Sequence, residues 1–324
     1  GEGEEADIAI LRAVADGREK GLSKAEILAN IKNIEGAYVP SLKKDGETVK
    51  KAVVRDFENA PFPRRPLVPN IETVHDRAVL ELYRGCGSGC RFCQAGFWYR
   101  PIRERSAECL ADIGKDMIDS AGFSEMSLCS LSTGDYSELQ RLEELLVPFC
   151  NEKHINLALP SLRISSFKSD MVRQSRRSSL TFAPEAGTQR LRNVINKNVT
   201  DEEIENLAEA FEVGYESIKL YFMLGLPTET DEDIAGIAEI CKKLKNLYYL
   251  KRRKRGLNIS VSCAVFIPKP CTPFQWEAQI SFDEMLRRQQ YLRGLLREIK
   301  GVSFSWHGAR ARRQTAERDF DARI

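Results

Sequence analysis

From residue 76 onward the chain alternates short β-rich apolar runs with longer segments whose apolar residues recur at helical spacing. AVLEL (78–82) precedes a segment carrying Leu110, Ile113 and Met117, and SEMSLCS (124–130) precedes one with Leu139, Leu142, Leu145 and Phe149. INLALP (155–160) leads to a helical stretch near 166–176, and SLTFA (179–183) to helices around 188–196 and 201–213. SIKLYFML (217–224) precedes Ile234, Ile237, Ile240, Leu244 and Leu247; NISVSCAVFI (258–267) precedes Leu286, Leu292, Leu295 and Leu296. The strand runs are nearly continuously apolar, as strands covered on both faces are expected to be. Thr200 with Glu203, and Ser281 with Glu284, have the spacing of capping boxes that start helices. Successive strand–helix units predict an α/β fold with a parallel sheet and right-handed crossovers, either doubly wound or curled into a partial barrel. In both architectures chemistry collects at the carboxyl ends of the strands, so a functional residue is expected at or just after a strand.

Residues 1–75 have a different character. One helix is expected around Ile8, Leu11 and Val14, and a second from Ser23, with Glu26 completing a capping box before Ile27 and Ile31. NAPFPRRPLVPN (59–70) then excludes helix and reads as a surface connection. VSFSW before His307 is a possible seventh strand, and the charged tail ARARRQTAERDFDARI is expected to lead into further sequence. The opening GEGEE is expected to continue from a preceding segment.

The 324 residues are 42% hydrophobic and 30% charged, enough to bury a core, and the net charge of +2 neither demands nor excludes nucleic acid. No apolar run approaches the roughly 18 residues that span a bilayer, so no membrane partner is expected. Nine cysteines without an export signal argue for reduced thiols in the cytoplasm. Cys129, Cys241 and Cys263 fall inside apolar segments and are expected to be buried hydrophobes.

The concentrated chemistry is YRGCGSGCRFCQAGFWYR (83–100), where Cys86, Cys90 and Cys93 follow the first strand in the spacing CX3CX2C. A structural zinc site normally takes four ligands in two close pairs, and no second cysteine or histidine pair exists. Thiolates in a tight loop suit an iron–sulfur cluster, yet a fully ligated cubane takes four. Three would leave one iron open to a substrate or cofactor. Gly85, Gly87 and Gly89 suit a loop that needs unusual backbone angles around such a group.

With these residues the sequence resembles the radical S-adenosylmethionine superfamily, whose hallmark is CX3CX2C after the first strand of a partial (β/α)6 TIM-like barrel, with an aromatic before the third cysteine, here Phe92. The resemblance implies a [4Fe-4S] cluster on Cys86, Cys90 and Cys93, and S-adenosylmethionine on the open iron. It also implies an electron from a carrier such as flavodoxin or ferredoxin and reductive cleavage to a 5′-deoxyadenosyl radical. RGC..GCRFCQAG...RP.RERS, SLSTGDYS, FAPEAGTQRLR and GLPTET resemble more narrowly a family whose radical domain follows a cobalamin-binding domain. That likeness implies an extension over 1–75 leaving such a domain, a barrel over 76–300, and a tail over 301–324. Cobalamin is therefore an expected further cofactor, held outside this chain, with methyl transfer as the implied reaction. An RNA methylthiotransferase is the alternative enzyme, and a non-catalytic metal- or RNA-binding protein the alternative of another class. The substrate, a small molecule or RNA, is not legible.

Carried onto this sequence, SLSTGDYS (130–137) takes the place of the glycine-rich motif for the methionine amino group, through Ser132, Thr133 and Gly134. The same stretch is also a polar turn in which Asp135 or Ser137 caps a helix. Glu185 at the end of the fourth strand is placed for the ribose hydroxyls. Lys197 is placed for the methionine carboxylate, with Ser161 and Arg163 as candidates to share that role. Met223, Phe266 and Ile267 resemble residues that sandwich adenine, and each also reads as strand core. KRRKR (251–255) is expected to be a solvated loop, and the aromatics of FWYRPIRER (97–105) a cover over the cluster.

Overall fold

A computed structural model of the chain describes residues 2–158 and 180–306. The strand–helix alternation takes the form of two parallel sheets. In the first, β1 (Ala78–Glu81) pairs with β2 (Glu125–Cys129), which pairs with β3 (Asn156–Ala158). In the second, β4 (Leu180–Glu185), β5 (Ser217–Leu224), β6 (Asn258–Val265) and β7 (Val302–Trp306) lie side by side in chain order. Neighbours that follow one another in sequence and run parallel are what repeated β–α–β units produce. The fold is thus the α/β arrangement of a TIM-like barrel; no closed ring of strands is formed among the described residues. The helix expected near 166–176 lies outside those residues.

The connecting helices are α3 (Ala107–Ala121), α4 (Leu139–Glu152), α5 (Gln189–Val194), α6 (Asp201–Asn206), α7 (Ala208–Val213), α8 (Asp231–Arg252) and α9 (Phe282–Arg297). Local chemistry sets their ends. The Ser106 hydroxyl accepts the Cys109 N–H at 3.2 Å to start α3, and Gly122, at φ 71°, ends it in the left-handed conformation. The Thr200–Glu203 box forms in full. Only half of the one expected at Ser281 does: Ser281 accepts the Glu284 N–H at 3.2 Å, while the Glu284 carboxylate turns to Arg287 and Arg288. A charge-assisted pair is the stronger partner for that carboxylate.

The strands of the second sheet are not apolar on both faces, which corrects the reading from hydropathy. Ile218, Leu220, Phe222 and Leu224 of β5, with Ile259, Val261 and Cys263 of β6, join Ile234, Ile237, Cys241 and Leu244 of α8 in one core. The alternate residues Lys219, Tyr221, Ser260 and Ser262 stay outside it. At about 1.5–3 kcal/mol for each large apolar side chain removed from water, the helix-facing side supplies the cohesion of this half. Cys241 and Cys263 are buried as expected, and burial pushes the Cys241 thiol up to about 12. Cys129, the last residue of β2, is exposed, contrary to expectation, because the strand's cover ends there.

The chain divides into two compact units, residues 1–64 and 65–324. In the first, α1 (Ala6–Glu19) and α2 (Lys24–Lys32) form an antiparallel pair; Ser23 and Glu26 make the expected capping box. Ile8 and Leu11 are exposed, and a small separate core gathers Val54, Phe57 and Ala60. Residues 61–77 contain neither helix nor strand and leave Leu67, Ile71 and Val74 exposed.

Candidate functional site

The loop after β1 carries the three cysteines and ends in a one-turn helix, Ala95–Trp98. Two of its glycines are indispensable. Gly85 sits at φ 102°, where an added Cβ would lie 2.7 Å from the Tyr99 carbonyl oxygen, and Gly89 sits at φ 65°. Gly87 has no such backbone, contrary to expectation. Residues remote in sequence clamp the loop. Asn196, itself left-handed at φ 53°, donates its side-chain amide to the carbonyls of Gly89 (3.0 Å) and Ser88 (3.4 Å). The Arg91 N–H donates to the Ile195 carbonyl at 3.0 Å, and the Phe274 N–H to the Arg91 carbonyl at 3.2 Å. The Gln94 amide reaches the Pro270 carbonyl at 3.0 Å.

A cavity of about 330 Å³ opens beside this loop. It is lined by Cys86, Cys90, Phe92 and Cys93, by Leu131 and Ser132 after β2, by Thr181, Ala183 and Glu185 of β4, and by Lys197 and Asn198 after α5. Residues expected from four separate stretches of sequence therefore meet around one space. Thr133 and Gly134 occupy the 3-10 turn Thr133–Asp135 next to Ser132, with the Thr133 hydroxyl 3.2 Å from that of Ser130. Ser137 caps no helix; its hydroxyl donates to Glu104. Phe266 is buried edge-on against Phe274, ring centroids 5.9 Å apart, in a cluster with Ala186, Leu191, Ile195 and Leu226. Phe92 and Met223 pack on the same cluster, while Ile267 is buried nearby in sequence and, like Phe266 and Met223, does not line the cavity. Ser161 and Arg163 lie outside the described residues.

The electrostatics of the cavity are built from few groups. Lys197 Nζ stands 3.6 Å from Glu185 Oε1, beyond a normal hydrogen bond, with both side chains largely buried. Burial raises the Glu185 carboxyl above its ordinary range, against the pull of Lys197. Glu185 sits at φ 70° just after a shift of register between β4 and β5. That strained backbone turns its carboxylate into the cavity. Burial also raises the Cys90 thiol, and the neighbouring Lys197 opposes the shift. Ser132 is 3% exposed and its hydroxyl has no hydrogen-bond partner, although its carbonyl accepts the Tyr83 hydroxyl at 2.5 Å. A buried hydroxyl left unpaired costs about 1–3 kcal/mol, so one aimed at a cavity is a place for a polar ligand.

These observations fit a cofactor-filled cavity. Three soft donors sit on a loop whose glycines allow it to wrap a bulky group, and they do not converge on a point. Among the described residues no three His, Cys, Asp or Glu side chains gather tightly enough for a single ion. A cluster that takes one thiolate at each of three irons makes no such demand. The cover expected from FWYR does not form: Trp98 and Tyr99 are 46% and 49% exposed, and Phe97 carries Arg100 at 5.6 Å from its ring centroid. Of the basic run 251–255, Lys251 pairs with Glu212 at 2.5 Å and Lys254 with Glu216 at 2.6 Å, as in a solvated surface turn.

Sequence reasoning missed Asn196, Asn198 and Thr181. Asn196 had a signal, since asparagine just past a helix is a frequent left-handed residue.

A parallel α/β fold with a cysteine loop after its first strand, opening on a charged cavity, defines an enzyme built to hold a metal cluster beside a second cofactor. The Radical SAM superfamily model matches residues 80–241, half of the chain, and the chain belongs to that superfamily. Its enzymes use a [4Fe-4S] cluster and S-adenosylmethionine. An uncharacterised protein of Methanocaldococcus jannaschii is 32% identical over 246 residues, which are 76% of this chain and 52% of that protein. The threonylcarbamoyladenosine tRNA methylthiotransferase of Treponema pallidum is 25% identical over 197 residues, 58% of this chain and 40% of that protein. The chain thus spans about half the length of the curated relatives it matches. Among solved structures, the radical S-adenosylmethionine methyltransferase TsrM of Kitasatospora setae, with cobalamin and a [4Fe-4S] cluster bound, is similar at 15% identity and a TM-score of 0.46, over 61% of this chain and 38% of that one. No helix among the described residues is long and apolar enough to cross a membrane.

Proposed function

We propose that Cys86, Cys90 and Cys93 ligate a [4Fe-4S] cluster and that the adjoining cavity holds S-adenosylmethionine, which is cleaved reductively to act on a further substrate. Bound together, cluster and cofactor supply one-electron scission of the sulfonium and a 5′-deoxyadenosyl radical; the electron comes from a carrier such as flavodoxin or ferredoxin. The chain positions and shields. The Ser132 hydroxyl, with no partner of its own, accepts or donates to the amino-acid end of the cofactor, beside the turn at Thr133 and Gly134. Lys197 offers its ammonium to the carboxylate and Glu185 its carboxylate to the ribose hydroxyls, an exchange made easier by the loose 3.6 Å contact between them. Phe92 presents an apolar wall, and the burial of Cys90 keeps water from that side of the loop.

The observation that carries this reading is the meeting of the three thiols with the unpartnered Ser132 hydroxyl and the Glu185–Lys197 pair around one cavity. The test is anaerobic iron and sulfide reconstitution, then incubation with S-adenosylmethionine and a strong reductant. 5′-Deoxyadenosine should accumulate, and the Cys86/Cys90/Cys93→Ala variant should lose both iron and product. A full cluster that yields no 5′-deoxyadenosine would sink the proposal. Methyl transfer with cobalamin held by a domain outside this chain is the substrate-level reaction we favour, from the motif likeness. RNA methylthiolation is the second reading, favoured by the 25% identity to a tRNA methylthiotransferase. It requires a second cluster, so the iron content of the full-length protein, two clusters rather than one, decides between them.

A further inference from the structure

The face of the second sheet that turns away from the helices is polar, and its residues stand in rows. Residues paired across adjacent parallel strands share a face. Thr181 of β4 pairs with Lys219 of β5, Lys219 with Ser260 of β6, and Ser260 with Ser303 of β7. Two residues further along, Tyr221 pairs with Ser262 and Ser262 with Ser305. The opposite side of the same strands is the helix-covered core. Thr181 lines the cavity that also holds the three cysteines and Ser132, so the first row begins at the candidate cofactor site.

A sheet interior usually fills such positions with branched apolar residues. Here six of the seven are hydroxyl-bearing, and the seventh is a lysine. The Ser303 and Ser260 hydroxyls lie 3.1 Å apart. Lys219 is half-buried and makes no ion pair among the described residues; its ammonium rests over the Tyr221 ring, 4.9 Å from the centroid. Glu185 and Lys197, which line the same cavity, answer each other. Among the described residues the two rows therefore hold one positive charge with no ion-pair partner, surrounded by hydroxyls that donate or accept hydrogen bonds. A partly desolvated ammonium is best satisfied by an oxyanion, and neighbouring hydroxyls complete its coordination.

We propose that this face binds the substrate of the enzyme, and that the substrate is a small molecule bearing a carboxylate or phosphate held by Lys219 with Ser260 and Thr181. The inference rests on the reading that the adjoining cavity holds the cluster and S-adenosylmethionine, and it adds the class of molecule on which they act. The anion-bearing end lies along the Thr181–Lys219–Ser260 row, and the reacting end reaches toward the cysteine loop.

Calorimetric titration of the reconstituted 324-residue chain with inorganic phosphate and, separately, with succinate tests this, with chloride at matched ionic strength as the control. One of the two oxyanions should bind well above chloride, and which one does identifies the source as phosphate or carboxylate. Lys219→Gln should weaken that binding about tenfold or more, and Lys219→Arg should hold it within about threefold, as expected for loss or retention of a charged hydrogen bond. Equal affinity in the wild type and Lys219→Gln, or no binding beyond chloride, overturns the proposal. 5′-Deoxyadenosine formed without substrate is recorded on the same samples. Its absence beside intact, Lys219-dependent oxyanion binding would reject the cofactor reading and leave this site standing.

Discussion

Gly236 lies inside α8, where alanine is intrinsically the better helix former by about 0.5–1 kcal/mol. Propensity alone therefore makes Gly236→Ala stabilising. Packing opposes it. A Cβ at 236 would stand 2.7 Å from the Gly187 carbonyl oxygen, 2.8 Å from the Gly187 carbonyl carbon and 2.9 Å from Thr188 Cγ2. Ordinary contacts between carbon atoms are about 3.5–4.0 Å, so the helix must retreat by nearly an ångström. It cannot retreat freely. Asp233, 2% exposed, accepts hydrogen bonds from Thr188 and Arg190, and closes a capping box with Thr230. Overpacking costs about 1–3 kcal/mol and a weakened buried carboxylate network about as much again, so the sum exceeds the propensity gain. Gly236→Ala should lower unfolding stability by about 1–5 kcal/mol in urea titration followed by circular dichroism. Gly294→Ala, in α9 with nothing within 4 Å of the added Cβ, is the control and should raise stability by about 0.5–1 kcal/mol. If both variants are stabilised alike, the close approach of the loop carrying Glu185 to α8 is wrong.

Other outcomes are accessible with the same variants and assays. Ser132→Ala removes a buried hydroxyl that has no partner, so stability should hold or rise by up to about 1 kcal/mol while S-adenosylmethionine binds more weakly; a loss of stability would mean that the hydroxyl is structural. Asn196→Ala deletes both hydrogen bonds to the cysteine loop and places alanine at φ 53°, so a chelator should strip iron from the reconstituted protein several-fold faster. Glu229, which accepts from the Gly225 N–H at 2.7 Å and from Arg288 at 2.6 Å, is pushed up from 4.5 to about 7 by burial. A raised carboxyl binds its proton more tightly in the folded state. Its contribution is therefore full below the unfolded value of 4.5 and falls as pH rises to about 7, by roughly 3 kcal/mol at most. Urea midpoints between about pH 5 and pH 8 should fall in the wild type and flatten in Glu229→Gln.

How much of this was legible in the sequence differs between the helix side and the inner side of the sheet. Apolar spacing located the strands of the two parallel sheets and the long helices, because residues such as Ile218, Leu220, Phe222 and Leu224 are selected by contact with α8 and its neighbours; it missed the short antiparallel pair Tyr83–Arg84 and Arg103–Glu104. It misjudged the other side. Lys219 and Tyr221 in SIKLYFML, and the serines of NISVSCAV, interrupt the runs at every second position. In a parallel sheet such an alternation marks a face that no helix covers. A count of apolar residues averages it away, whereas the period of two retains it.

The site divides in a similar manner. Cysteine spacing points to the atoms that would hold a cluster, since closely spaced thiolates on one loop suit that chemistry. It does not report what holds the loop. Gly85 and Gly89 let the chain turn, but the turn is fixed by Asn196, Ile195, Phe274 and Pro270, over a hundred positions away. Apart from the Asn196 side-chain amide, those partners use backbone carbonyls and N–H groups, which leave no trace in residue identity. The Glu185–Lys197 pair was legible only as two charges after a strand; the 3.6 Å between them depends on a register shift that no local pattern announces. The motif of eight residues therefore specifies candidate ligands but not their geometry. The geometry belongs to the second sheet and its loops, and a cysteine loop severed from them would keep its thiols and lose its shape.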